Sequence, residues 1–136
     1  MKDCIFCKII KKEVPATILY ETNSTLAIAP NKPESKGHLL IIPRKHYENI
    51  FDIQKTEFQN YTKTLQEICI KLKNNYKAQG INILNANGKA AQQSVQHLHF
   101  HLIPRFENDE VDAWPKFKYE EKNREKTYEE IKQALK

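Results

Sequence analysis

The sequence predicts an α+β domain in which an antiparallel sheet carries one long helix on one of its faces. Three observations predict it. First, His97-Leu98-His99-Phe100-His101-Leu102-Ile103 alternates imidazoles with large apolar residues. A period of two puts the three rings on one face of a strand and the apolar residues on the other, whereas a helix would fan the rings out by roughly 100° per residue. Second, Phe58, Tyr61, Leu65, Ile68, Leu72 and Tyr76 recur at spacings of three and four within residues 54–79, the stripe of one amphipathic helix. Third, the other apolar runs are short and bounded by Pro, Gly or Asn, the length and punctuation of strands.

In chain order, residues 4–12 form a short helix with Ile5, Phe6, Ile9 and Ile10 on one side, ended by Pro15. Residues 17–21 and 26–29 are two strands joined at Asn23-Ser24, and Pro30, Asn31 and Pro33 mark a loop. Gly37 leads into His38-Leu39-Leu40-Ile41-Ile42, a continuous apolar run suited to a central strand covered on both faces, and Pro43 closes it. The long helix follows, with Gly80 as its C-terminal stop. Residues 81–84 are a strand, residues 85–93 a polar loop around Asn87-Gly88, and the histidine strand comes next, ended by Pro104. After Arg105 the chain is charged, with a last helix over residues 127–135.

The length of 136 residues suits one domain, with a core over about residues 4–106 and a charged tail over 107–136. The longest apolar run, Leu39 to Ile42, is far too short to cross a membrane, and the start lacks the apolar core of a signal peptide. A cytoplasmic protein is therefore expected. Three cysteines without a secretory signal argue against a disulfide framework. Cys69 reads as a small core residue of the helix. The net charge of +5 favours anionic ligands, but the lysines are scattered among glutamates, and no basic stripe with interleaved aromatics points to nucleic acid.

Three convergent imidazoles admit a metal site, nucleophilic catalysis by the middle ring, or satisfied core histidines. Strict alternation of three of the chain's five histidines speaks against the last. Cys4 and Cys7 offer two thiolates at zinc-ligand spacing; no second Cys-x-x-Cys exists, so histidines would have to complete four ligands.

These residues carry a family resemblance. The histidine run 97–103, the block Lys36-Gly37-His38-Leu39-Leu40-Ile41-Ile42-Pro43-Arg44-Lys45-His46 and the opening Cys4-Ile5-Phe6-Cys7-Lys8-Ile9-Ile10 together resemble zinc-binding bacterial-type members of the histidine triad (HIT) family of nucleotide hydrolases and transferases. The resemblance covers residues 4 to about 106. It implies a five-stranded antiparallel sheet with one long helix and short terminal helices, extended to ten strands in a homodimer. It implies attack on the α-phosphate of a purine nucleoside phosphate derivative, of AMP or GMP, and release of the nucleoside monophosphate.

The resemblance also assigns residues. His99 becomes the nucleophile of a covalent nucleotidyl-histidine intermediate, and His101 donates to a phosphate oxygen or the leaving group. Gln93 and Ser94, with Asn85 or Asn87, contact phosphate or ribose. Ile5, Phe6, Ile9, Val14 and Ile28 enclose the base. Cys4, Cys7, His46 and His97 hold a structural Zn²⁺. Two departures stand out: Pro30 replaces the Asp or Asn that holds the ribose in many members, leaving Asn31 as the candidate, and Gln92 replaces a glycine. The competing readings are a zinc-organised nucleotide-binding module without turnover, a small nucleic-acid binder, and a metal-dependent hydrolase using all three histidines. Trp114 and the charged tail are candidates to tune substrate choice.

Overall fold

A computed structural model describes residues 3–114 and 116–136. The elements are α1 (Ile5–Ile10), β1 (Ile18–Glu21), β2 (Thr25–Ile28), β3 (Leu39–Pro43), α2 (Lys55–Asn74), β4 (Gly80–Leu84), β5 (Phe100–Arg105) and α3 (Arg124–Ala134), with a short 3₁₀ turn at Lys89–Ala91. The strands form one antiparallel sheet in the order β1-β2-β3-β5-β4. The continuous apolar run sits where its composition demands, in the central strand β3, buried along its whole length.

Each sheet face has its own core. On one, α2 lays Tyr61, Leu65 and Ile68 against Ala27, Leu39, Ile41, Leu98 and Leu102. The fully buried Tyr61 keeps its hydroxyl satisfied by donating to the Ile41 carbonyl at 2.6 Å. Cys69 is half-buried against the same cluster. On the other face, α1 lays Phe6 and Ile9 against Leu26, Ile28, Leu40 and Ile42. The histidines share this second face, under α1.

Two sequence expectations are corrected. The long helix ends at Asn74 rather than running to residue 79, and Gly80 opens β4 instead of stopping the helix. The stop comes from Lys77, which takes a left-handed φ of 63°, while the Ala78 N–H turns back to the Leu72 carbonyl at 3.2 Å. Ending early lets Gly80 pair with Arg105, and Tyr76 leaves the stripe to pack edge-on against Phe106. The second correction concerns the histidine strand. Ladder pairing begins at Phe100; His97 and His99 lie on its lead-in. There the Leu98 N–H donates to the Tyr47 carbonyl at 2.7 Å, and Asn85 donates to the His99 carbonyl at 2.8 Å. The alternation of faces survives: Leu98 and Leu102 are both 0% exposed in the α2 core, opposite the imidazoles.

Candidate active site and metal centre

The three triad histidines divide between two neighbouring places. His97 points into a cluster with Cys4, Cys7 and His46, whose ligand atoms all lie within 4.8 Å of one another. His97 Nδ1 is 3.4 Å from Cys4 Sγ and 3.6 Å from Cys7 Sγ, and His46 Nδ1 is 3.3 Å from Cys7 Sγ. Zinc bonds of about 2.3 Å to sulfur and about 2.0 Å to nitrogen at tetrahedral angles place sulfur and nitrogen about 3.5 Å apart. The cluster therefore has the size that Zn²⁺ requires. The rest of its surroundings agree. The ring Nε2–H of the fully buried His97 donates to the Pro43 carbonyl at 2.8 Å, which turns the Nδ1 lone pair towards the thiols and holds the ring as ligating histidines are usually held. Burial and the neighbouring Cys4 raise the Cys7 thiol, so two adjacent thiolates need a cation between them. With four protein ligands no coordination position is left open, which is the arrangement of a structural site.

His99 and His101 face an apolar cleft of about 250 Å³. Its walls are Ile5, Phe6 and Ile9 from α1, Ile28, Pro30 and Asn31 from the end of β2 and the loop after it, and Ser94 from the loop before the triad. Phe6 meets both His97 and His99 edge-on, with centroids 5.7 and 5.3 Å apart, so α1 is at once a metal-side element and a wall of the cleft. The cleft shares Ile5, Ser94 and Val95 with a wider polar groove of about 720 Å³.

The hydrogen bonds set the chemistry of each ring. His99 is buried, and its Nδ1 lies 2.7 Å from the His97 carbonyl. A carbonyl only accepts, so Nδ1 carries the proton and Nε2 keeps its lone pair. Burial lowers the His99 pKa against the opposing pull of that carbonyl, so the ring stays neutral near pH 7. Burial, with His99 and His38 as neighbours, lowers His101 to about 4. His101 Nδ1 is 2.9 Å from Nε2 of the buried His38.

Asn85, Asn87 and Gln93 are not among the described residues lining the cleft; their side chains serve the protein's own backbone. Asn85 holds the His99 carbonyl and is joined by Asn87, which also accepts from the Ile50 N–H at 2.9 Å. Gln93 accepts from the Gly88 N–H at 2.8 Å and donates to the carbonyls of Glu48, at 2.7 Å, and Val95, at 2.9 Å. Together they clamp the loop before the triad onto the loop after His46. Gln92 sits at a left-handed φ of 63°, the conformation a glycine would take there freely. His38 is the site residue whose place was least legible in sequence. In sequence it was either a hydrogen-bonded strand histidine or, by the family resemblance, a neighbour of the triad; the structure sets it against His101, which pairs with Leu40 of the same strand.

Residues 11–108 match the HIT domain model. An adenosine 5'-monophosphoramidase of Saccharomyces cerevisiae is 39% identical over 114 residues, 82% of this chain and 70% of that one. A Streptococcus mutans structure aligns with TM-score 0.86 and 34% identity, covering 100% of this chain and 87% of the other. A zinc-bound histidine triad family protein from Mycobacterium smegmatis aligns with TM-score 0.76 and 30% identity, covering 98% and 94%. With the domain match spanning most of its length and the triad set on the sheet of these structures, the chain belongs to the histidine triad family.

Proposed function

We propose that this chain is a nucleotide hydrolase or nucleotidyltransferase that attacks the α-phosphate of purine nucleoside phosphoramidates, acyl-nucleotides or dinucleoside polyphosphates. The observation that carries the reading is the His99 tautomer: Nδ1–H is tied to the His97 carbonyl, so a neutral, buried imidazole offers Nε2 to the cleft. That lone pair forms a bond to the α-phosphorus while the bond from phosphorus to the leaving group breaks and its electron pair departs with that group. Water then attacks the nucleotidyl-His99, returning the Nε2 lone pair and releasing the nucleoside monophosphate. The base lies among Ile5, Phe6, Ile9 and Ile28, with Asn31 beside the sugar. Ser94, at the junction of cleft and groove, and His101 donate to the phosphate, and the leaving group extends into the polar groove. His97 contributes through its carbonyl, which orients the nucleophile, and Asn85, Asn87 and Gln93 hold the surrounding backbone.

Cys4, Cys7, His46 and His97 would hold Zn²⁺, whose part is structural: it ties the N-terminal segment to the triad. The named activity of the yeast relative supports a P–N bond as substrate. The test is intact-protein mass spectrometry after rapid quench with an adenosine phosphoramidate. The parent is expected to carry one transient AMP adduct that His99→Gly lacks. An adduct on both proteins would move the nucleophile elsewhere, and neither adduct nor released AMP would overturn the reading.

A further inference from the structure

We propose that His38 is a positioning residue: held by the backbone of Glu34, it fixes His101 as a neutral imidazole whose Nε2–H is the group presented to the substrate. The inference rests on the proposed function for its consequence, but its basis is a chain of donors and acceptors. The Glu34 N–H donates to His38 Nδ1 at 3.1 Å. A backbone N–H only donates, so His38 Nδ1 carries no proton and the neutral ring bears its proton on Nε2. That Nε2–H faces His101 Nδ1 at 2.9 Å. His101 Nδ1 is thereby the acceptor, and the His101 proton sits on Nε2. One peptide N–H outside the triad thus dictates the tautomer of a ring two hydrogen bonds away.

The arrangement also disfavours an imidazolium at His101. A second proton on its Nδ1 would meet the His38 Nε2–H head-on, and His38 cannot turn over to receive it without giving up the Glu34 N–H. The charged neighbours agree with this. Burial lowers both rings, His99 and His38 press further on His101, and the opposing influence on His38 is the Glu34 carboxylate. His101 accordingly stabilises charge on the phosphate by a hydrogen bond, as a neutral electrophile, and does not surrender a proton. The leaving groups that suit such a site depart as weakly basic anions or carry their own proton, as a protonated phosphoramidate nitrogen does.

The experiment combines imidazole ¹⁵N spectroscopy with kinetics on adenosine phosphoramidate for the parent, His38→Leu and His38→Gln, with His101→Gln to assign the signals. In the parent at pH 7, His101 is expected to show a protonated Nε2 and a bare Nδ1. His38→Leu removes the donor, spreads His101 over both tautomers and lowers kcat about tenfold at nearly unchanged KM, a smaller loss than removing a whole oxyanion donor. His38→Gln keeps an N–H in the same place and restores both the spectrum and kcat. A parent His101 that is an imidazolium or carries its proton on Nδ1 overturns the proposal, and so does an unaltered His101 spectrum in His38→Leu. If the parent releases no AMP, the proposed function fails on that count alone, and the spectra still decide the tautomer.

Discussion

A buried neutral histidine ties folding to pH in a definite direction. His99 and His101 are held below the ordinary histidine range of about 6.5 by burial, His101 to about 4. In the unfolded chain both regain the ordinary value, so unfolding takes up protons between those limits. Their contribution is complete above about pH 6.5 and is lost as the pH falls towards about 4. The Asp109 carboxyl, held well below the usual carboxylate range by Arg105 and by the N–H groups of Phe106 and Val111, loses its contribution only at lower pH still. Thermal unfolding from pH 7 to pH 4 should therefore show Tm falling with pH, with a shallower slope in His101→Gln. An equal slope in the two proteins would mean that His101 is not held neutral by the fold.

Helix α1 has only six residues, no side-chain cap and no acidic residue in its first turn, so local propensity cannot hold it. Two things do: Phe6 and Ile9 in the second core, and the Cys4–Cys7 pair facing His46 and His97. Chelation of protein first loaded with Zn²⁺ should lower Tm by about 10 °C while the sheet, which has its own α2 core, keeps its circular dichroism. Affinity for AMP, measured by calorimetry, should fall as well, because Ile5, Phe6 and Ile9 wall the cleft. A chelated protein with parent Tm and parent AMP affinity would show that the cluster does not organise α1. This element was readable in sequence because both signals are local: a Cys-x-x-Cys and apolar residues at helical spacing. The end of α2 was not, because the turn at Lys77 answers to the pairing of Gly80 with Arg105. The internal bonds of Gln93 and Asn87 were not legible for a similar reason. Their partners, Glu48 and Ile50, lie some forty residues away in sequence and join only through the sheet.

At the scale of the whole molecule the sheet has two free edges, and they are not equivalent. β1 breaks register between Ile18 and Tyr20 and is blunted by that irregularity. β4 pairs without interruption from Gly80 to Leu84, and on this straight edge Ile83 is 47% exposed. Beyond β5 the tail adds more uncovered apolar surface. Trp114 and Phe117 are each 77% exposed, and Tyr128, Ile131 and Leu135 form one exposed stripe along α3, a helix with no buried residue. So much apolar area on so short a tail is the mark of a surface that meets a partner. We expect two copies to join at β4, extending the five strands to ten, with the tails covering the seam. Light scattering on the eluting protein should then give twice the 16.0 kDa of one chain. Ile83→Lys places a charge at the centre of the seam and should shift the mass to that of one chain, with the Tm of the isolated domain otherwise retained. A parent protein that remains monomeric at a concentration of about 100 μM, where any interface of standard size would assemble, would leave β4 as a true edge and the tail apolar for some other reason.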